Sequence, residues 1–287
     1  MPQREFFTLR SGHRIAALDW GGGEKPLAIL CHANGFCASS WSTVAKLLQQ
    51  DLRVVALDAR GHGASSVPLD EDLYDWEHLV EDLLDVTDQL LAKHTLPYVE
   101  VVVGNSLGAV IGAVAAAREP ANFRTVVMLD PPILPRVGDL GASLGPEGRP
   151  SIVEQTRRRR REFNSREELA LAYRRKKTFA NWCDEAFEHY LNDGFSYQAD
   201  GRLILRCLPE VEAAIFEKTG SLDLFAEAKT IQADVTLVHA TQGLFPYEGY
   251  QSLNEQFPHG VLTSLHGGHL LPMELPEKTA EIVLTSL

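Results

Sequence analysis

The chain has 287 residues, of which 45% are hydrophobic and 23% charged, and its formal net charge is −12 at pH 7. This length suits one large α/β domain or a core with an insertion, and the acidic balance argues against nucleic acid as a partner. No run of about 18 apolar residues predicts a membrane span. The N-terminus lacks the apolar stretch of a secretory signal, and the four cysteines have no CxxC or zinc-like spacing. We therefore expect a cytoplasmic protein without a metal or other cofactor.

Short apolar runs alternate with helical patterns over the first 130 residues. EFFTLR and HRIAALDW predict an antiparallel strand pair, and PLAILCHA and LRVVALDA predict buried strands. Apolar residues at helical spacing predict a helix over 75–93. The strand YVEVVVG, the helix SLGAVIGAVAAARE and the strand FRTVVMLD follow. Alternation of this kind predicts a mostly parallel sheet with helices on both faces.

The alternation stops after residue 130 and resumes near residue 230. PPILP and GDLGASLGPEGRP are typical of loops, and residues 151 to about 228 predict several helices with little strand pattern. ADVTLVHA and GVLTSLHGG then predict strands, while PYEGYQSLNEQF and LPEKTAEIVLTSL predict helices. Residues 133–230 hold 16 basic and 16 acidic residues, so the whole net charge lies outside them. We therefore predict a core over 1–132 and 230–287, interrupted by an insertion over 133–229.

A serine lies between glycines in VVVGNSLGAVIGA, where the predicted strand meets the predicted helix. Gly104 to Gly108 fit the pattern G-x-S-x-G, whose glycines leave room for a tight turn. The helix N-terminus favours developing negative charge. Ser106 is therefore a candidate nucleophile, and the alternative is a glycine-rich turn with a capping serine.

A serine nucleophile needs a base, and ten histidines are candidates. His269 follows the last predicted strand in LHGGHLLPMELPE, where two glycines would loosen the loop that carries the imidazole to Ser106. His266, three residues earlier, is the second candidate. His62 is interpreted as support for a turn, and His239 as a pocket or core residue.

Four segments in this chain order, CHANGFCASSW, LDARGHGASS, GNSLG and GGHLLPMELPE, resemble the α/β-hydrolase superfamily over nearly the full length. The resemblance implies an α/β-hydrolase fold, with a mostly parallel eight-stranded sheet and an inserted helical cap. It implies attack by serine, a histidine base and an acyl-enzyme that water resolves. Backbone N–H groups of Leu107 and Asn34 would form the oxyanion hole, because His32 to Gly35 resemble the family's His-Gly-X-Pro stretch. Phe36 is an alternative donor.

The carboxylate of the triad is missing from its usual place in the family, after the penultimate strand. That position falls on Gln242 or Gly243, and neither ionises. The family also uses the end of the strand that follows the elbow helix, where this chain has Asp130. We predict that Asp130 orients His269 and stabilises its imidazolium form. Glu248 is the next candidate, and a dyad without an acid is the third alternative.

The cap position implies that residues 133–229 cover the catalytic edge and contact the substrate. An aromatic cap interior is predicted from Tyr173, Phe179, Trp182, Phe187, Tyr190 and Phe195. Phe36, Trp41, Ile133, Leu244 and Phe245 are the predicted apolar substrate-binding residues. The arginine run 157–161 is interpreted as a solvated helix that pairs with Glu154 and Glu162, because successive helical residues point all round the axis.

These features favour a serine hydrolase of a small or medium apolar ester, of the carboxylesterase or lactonase type. GNSLG also resembles the GNSMG elbow of C–C bond hydrolases that act on ring-cleavage products. Epoxide hydrolases and haloalkane dehalogenases resemble the fold but carry aspartate where Ser106 stands. A hydrolase-fold receptor or scaffold with little turnover is the non-enzymatic alternative. The expected partner is a small ester-like molecule, and the sequence leaves open whether a homo-oligomer forms.

Overall fold

A computed structural model of the protein describes residues 1–133 and 151–287. These two ranges form eleven strands and eleven α-helices. The strands are β1 (Gln3–Thr8), β2 (Arg14–Asp19), β3 (Leu27–Cys31), β4 (Arg53–Leu57), β5 (Val99–Asn105), β6 (Phe123–Leu129), β7 (Glu162–Phe163), β8 (Phe195–Tyr197), β9 (Leu203–Leu205), β10 (Asp234–Ala240) and β11 (Gly260–Leu265). The helices are α1 (Ser42–Leu48), α2 (Trp76–His94), α3 (Leu107–Arg118), α4 (Ile152–Arg157), α5 (Arg166–Arg174), α6 (Asp184–Asp193), α7 (Pro209–Glu217), α8 (Leu224–Ala228), α9 (Tyr247–Asn254), α10 (Leu271–Glu274) and α11 (Pro276–Thr285).

One large sheet organises the chain, with strand order β1-β2-β4-β3-β5-β6-β10-β11. β1 pairs with β2, and β2 with β4, in antiparallel register. All other neighbours pair in parallel. The predicted eight-stranded, mostly parallel sheet is therefore confirmed, and every one of its strands was predicted from the sequence.

Two apolar layers cover the two faces of this sheet. The central strands are buried on both faces, which explains their nearly continuous apolar sequences. Alternate residues of β3 pack into different layers: Ile29 faces the layer that includes α2, α3, α8 and α9. Leu30 faces the layer that includes α1 and α11. The predicted placement of helices on both faces is confirmed.

The parallel strands bring their carboxyl ends to one edge of the sheet. Asn105 pairs with Leu129, and Leu129 pairs with Val238, so the residues that follow β5 and β6 come together. Residues at such an edge, beyond the ends of neighbouring strands, are placed to face a ligand.

Residues 151–229 contain α4 to α8 and a small antiparallel sheet with strand order β7-β9-β8. The sequence did not predict this small sheet, because its strands are only two or three residues long and show no periodicity. The six predicted cap aromatic residues pack together in one buried cluster. The predicted loop GDLGASLGPEGRP (138–150) lies outside the described residues, and the boundaries 133 and 229 stay a prediction.

The arginine run does not form the predicted helix. α4 ends at Arg157, and the carboxylate of Glu154 accepts the N–H of Ser151 in a capping box instead of pairing with an arginine. Of the two predicted pairings only the one with Glu162 is seen, where Oε1 of Glu162 lies 3.8 Å from Nε of Arg161. The interpretation as one solvated helix was wrong, because the chain leaves the helix and turns one arginine inward.

None of the helices within residues 1–133 and 151–287 combines the length and the apolar character that crossing a membrane requires.

Candidate active site

Ser106 is the single residue between the last residue of β5 and the first residue of α3. Its φ of 55° and ψ of −118° lie where a residue with a side chain is strained. A Cβ at Gly104 would collide with the backbone of Gly108, and one at Gly108 would collide with the carbonyl of Cys31. The two glycines therefore permit the close contacts of the turn, while the serine itself carries the strained backbone.

Asp130 follows β6 directly and lies next to His269. Its Oδ2 is 2.6 Å from Nδ1 of His269, and its side chain is fully buried. Its Oδ1 accepts hydrogen bonds from the backbone N–H of Ala240 at 3.0 Å and from the hydroxyl of Tyr250 at 2.6 Å. The backbone φ of Asp130 is also positive, at 45°. Three contacts and a strained backbone thus hold this carboxylate against the imidazole.

Gly243, at the position where the family usually has its acid, provides the space that Asp130 occupies. A Cβ at position 243 would lie 2.5 Å from Oδ2 of Asp130. Gln242 and Glu248 are both exposed, and neither forms a hydrogen bond with His269 among the described residues. The usual acid position therefore holds a glycine, and that glycine leaves room for the carboxylate of the residue that follows β6.

Ser106 and His269 line one cavity with a volume of about 630 Å³. No hydrogen bond joins the two side chains in the part of the chain that the structure describes; serine–histidine contacts in empty sites often shorten only when a substrate binds. His266 is exposed and lies 3.0 Å from the hydroxyl of Thr241, away from this cavity. Of the two histidines proposed as bases, His269 shares the cavity with the serine.

Asn105 ties together the loops that carry these groups. Its Nδ2 donates to the carbonyl of Leu129 at 2.9 Å and to the carbonyl of His269 at 3.0 Å. The backbone N–H of Ser106 also donates to the carbonyl of Leu129, at 3.0 Å. Asn105 lies inside the elbow motif, but the motif fixes only the glycines and the serine and does not predict this role.

The loop before His269 is closely packed rather than loosened by its glycines. The N–H of Gly268 donates to the Glu274 carboxylate at 2.8 Å, and a Cβ at Gly268 would lie 2.5 Å from that carboxylate. The glycine therefore allows close approach, and the predicted looseness was wrong.

Leu107 and Asn34, the predicted oxyanion donors, both line the cavity. The N–H of Leu107 is the first of α3 and has no acceptor inside the helix. The N–H of Phe36 donates to the carbonyl of Ala33 at 3.2 Å, so the alternative donor is already used. The N–H of Gly35 donates to Nε2 of His62 at 3.0 Å. These two contacts leave Asn34 as the better placed candidate.

The neighbouring ionisable groups support the loops. Burial lowers the pKa of His32 to about 4 and that of His62 to about 3, so both rings are neutral at pH 7. Burial raises the pKa of Asp58 to about 6, while its carboxylate accepts the N–H groups of Ala38 and Ala64. His62 therefore has the supporting position that was predicted for it, and Asp58 supports the neighbouring loops in the same way.

The predicted apolar substrate-binding residues divide into two groups. Phe36, Leu244 and Phe245 line the cavity. Trp41 and Ile133 are not among the described residues that line it. Trp41 is buried between the sheet and α1, and Ile133 packs in the layer on the other face. The predictions for Trp41 and Ile133 were wrong, because both side chains are buried in the core instead of facing the cavity.

A charged group on the wall of the cavity was missed by the sequence analysis. Arg159 forms a close ion pair with Glu212 and donates to the Tyr173 hydroxyl at 3.1 Å. Asn34 Nδ2 donates to the carbonyl of Glu212 at 3.0 Å, which links this pair to the oxyanion loop. Burial raises the pKa of Glu212, and Arg159 opposes that rise. Lys176 lines the same cavity. Arg159 lies in a run of five arginines whose other members are exposed, so no sequence pattern marks it as the inward one.

No group of three or more histidine, cysteine, aspartate or glutamate side chains that could hold a metal ion occurs in the described ranges.

Comparison with known proteins gives partial sequence matches and full-length structural matches. Protein phosphatase methylesterase 1 of Mus musculus is 36% identical over 104 residues, which are 36% of this chain and 25% of that protein. Epoxide hydrolase 4 of Mus musculus is 29% identical over 120 residues, 42% of this chain and 31% of that protein. The matched stretches thus span a third or less of these curated relatives.

The crystal structure of E-2-(acetamidomethylene)succinate hydrolase superposes with a TM-score of 0.79 at 17% identity, over 99% of this chain and 98% of that one. At this identity the likeness shows the fold alone. The sequence model of the Alpha/beta hydrolase family matches residues 28–282, nearly the whole chain. Together with the sheet order and the elbow between β5 and α3, this match shows that the chain belongs to the α/β hydrolase family.

Proposed function

We propose that the protein is a serine hydrolase that cleaves a small or medium ester through a covalent acyl-enzyme. The observation that carries the proposal is that a serine, a histidine and a carboxylate come together beside one cavity. A strained serine follows β5, and a histidine from the loop after β11 shares its cavity. Nδ1 of that histidine is 2.6 Å from the carboxylate of Asp130.

In the proposed reaction, Nε2 of His269 takes the proton of Ser106 as Oγ attacks the ester carbonyl carbon. The N–H groups of Leu107 and Asn34 stabilise the negative charge on the carbonyl oxygen. The imidazolium then protonates the leaving alcohol, and the C–O bond breaks to leave an acyl-serine. His269 next deprotonates water, which attacks the acyl carbon. The bond from that carbon to Oγ of Ser106 then breaks, the imidazolium returns its proton to Oγ, and the acid is released. Asp130 holds the imidazole in the required tautomer and stabilises its charge.

Several observations support an ester rather than another substrate. Ser106 stands where epoxide hydrolases of this fold carry the aspartate that forms their intermediate. A methylesterase is among the matched relatives, although it is matched over only part of its length. Phe36, Leu244 and Phe245 offer apolar surface to an acyl chain.

We further propose that residues 133–229 act as the cap of this site. Their described part contributes residues such as Ile152, Phe179 and Phe216 to the cavity wall.

The four cysteines are free thiols, which agrees with the expected cytoplasmic setting.

Labelling with a fluorophosphonate tests the proposal, with Ser106→Ala as the control. We expect labelling of the wild type and none of the variant. A panel of short and long acyl esters beside a ring-fission diketone then separates ester from C–C bond hydrolysis. Absence of Ser106-dependent labelling and turnover would contradict the proposal and favour the receptor or scaffold alternative.

A further inference from the structure

The wall of the cavity that contains Ser106 carries more positive than negative charge among its described residues. The described part of this wall has four Arg, Lys, Asp or Glu side chains, which are Arg159, Lys176, Lys177 and Glu212. The ion pair between Arg159 and Glu212 neutralises one of the three cations. Neither lysine has a carboxylate within ion-pair distance in the described part of the chain. The cavity therefore offers two positive charges that no described acidic side chain neutralises.

Lys176 is the better placed of the two lysines. Its side chain is half-buried, whereas Lys177 is exposed. Its Nζ lies 4.1 Å from the centroid of the ring of Tyr173, which is itself fully buried and bonded to Arg159. The aromatic ring thus holds the ammonium group at one place on the wall.

This position is unfavourable for a cation. Burial, and secondly the nearby charge of Arg159, lower the pKa of Lys176. An ammonium group that is withdrawn from water needs an opposite charge to offset the lost hydration. Glu212 opposes this fall in pKa from beyond ion-pair distance, but its carboxylate is already paired with Arg159. A bound anion at Nζ of Lys176 would supply the missing charge at contact distance.

We propose that Lys176 recognises a free carboxylate at the far end of the acyl chain of the substrate. The ester that this site hydrolyses is then an anionic mono-ester of a dicarboxylic acid. This inference rests on the proposed function. The apolar surface of Phe36, Leu244 and Phe245 accommodates the methylenes of the acyl chain, while Nζ of Lys176 donates hydrogen bonds to the terminal carboxylate. Arg159 keeps its contacts with Glu212 and Tyr173 and acts only by adding positive potential.

Matched esters test this inference. Mono(4-nitrophenyl) succinate, glutarate and adipate are compared with 4-nitrophenyl butanoate, pentanoate and hexanoate, which have equal chain lengths without the charge. We expect at least one anionic ester to exceed its neutral match in kcat/KM by about tenfold, the effect of one charged hydrogen bond. Lys176→Met should remove that preference, so that the anionic ester and its neutral match are hydrolysed with similar kcat/KM.

Two further variants separate recognition from general damage. Lys176→Arg should retain most of the preference for the anionic ester, because it keeps the charge. Lys229→Met removes an exposed lysine outside the cavity and should change neither ester series. Melting temperatures show whether each variant is folded. If Lys176→Met folds and both ester series change equally, or no anionic ester is preferred by the wild type, the inference is overturned.

A binding measurement keeps this test independent of turnover. Isothermal titration of glutarate and adipate into Ser106→Ala should give binding that is lost in Ser106→Ala/Lys176→Met. Lysine-dependent binding without any ester hydrolysis would support the carboxylate site and contradict the proposed function. Ser106-dependent hydrolysis of neutral esters without lysine-dependent binding would support the function and overturn the carboxylate site. Failure of both measurements overturns both proposals.

Discussion

Replacing Gly243 by alanine perturbs the carboxylate of Asp130 without changing any ionisable group. The new Cβ would lie 2.5 Å from Oδ2 of Asp130 and 2.9 Å from the carbonyl of Ala240, whereas ordinary contacts begin at 3.4 Å. The carboxylate or the loop must therefore move by about 0.9 Å. Since the Asp130–His269 contact is 2.6 Å, a shift away from the ring lengthens it to ~3.5 Å, beyond a good hydrogen bond.

We expect Gly243→Ala to lower kcat by about 10²-fold, because a displacement of about 1 Å in a catalytic group costs roughly that factor. The assay is steady-state hydrolysis of a 4-nitrophenyl ester, with the Ser106→Ala rate subtracted. Gly249→Ala is the matched control. It adds a methyl group to α9, where its Cβ meets Ile133 at 3.2 Å and has no contact with Asp130. Its kcat should stay within about threefold of wild type.

The Asp130→Asn background shows whether Gly243 acts through the acid. Asp130→Asn alone should lower kcat by about 10² to 10⁴-fold. Adding Gly243→Ala should then cost little more, since residues that act as one unit are not additive. A folded Gly243→Ala that keeps near-wild-type kcat would refute the proposed role of Asp130, and so would an Asp130→Asn that retains turnover while Glu248→Gln abolishes it.

Three further changes test the supporting contacts. Tyr250→Phe removes the hydroxyl that donates to Asp130 at 2.6 Å, and urea unfolding should show a loss of about 2 kcal/mol, the range for a hydrogen bond to a charged group. Glu212→Gln leaves Arg159 without its charge partner, so thermal unfolding should show a loss of about 3 kcal/mol or more, which Arg159→Met/Glu212→Met should partly restore. Burial lowers the pKa of His62 to about 3 from its ordinary 6.5, so below pH 6.5 the unfolded chain binds a proton that the folded chain excludes. The free energy of unfolding should therefore fall by up to about 5 kcal/mol as the pH drops from 6.5 to 3, and His62→Gln should flatten that dependence in urea titrations at each pH.

The sheet and the position of the site edge could be predicted because they depend on local patterns. Most strands of the large sheet are short apolar runs between turn signals, and the rule for parallel strands brings their ends to one edge. Ser106 and Asp130 follow directly from this rule, since each is the first residue after a strand. His269 follows the last strand and could be placed at the same edge for the same reason.

Contacts between distant segments could not be predicted in this way. Tyr250 reaches Asp130 across 120 residues, and Arg159 reaches Glu212 across 53. No spacing in the sequence records such pairs. Trp41 shows the complementary failure: an apolar pattern predicts that a side chain is buried, but not whether it packs in the core or lines a cavity.

The proposed acid, Asp130, directly after β6, would also change how the site is held together. The carbonyl of Leu129, which belongs to the same peptide group as the N–H of Asp130, accepts the N–H of Ser106 at 3.0 Å and Nδ2 of Asn105 at 2.9 Å. That Nδ2 also donates to the carbonyl of His269 at 3.0 Å. An acid on the loop after β10 would lie one strand further from the elbow and could not share this peptide group. With Asp130 in its place, Asn105 contacts the backbone beside all three proposed catalytic residues, so their relative positions depend on one buried amide.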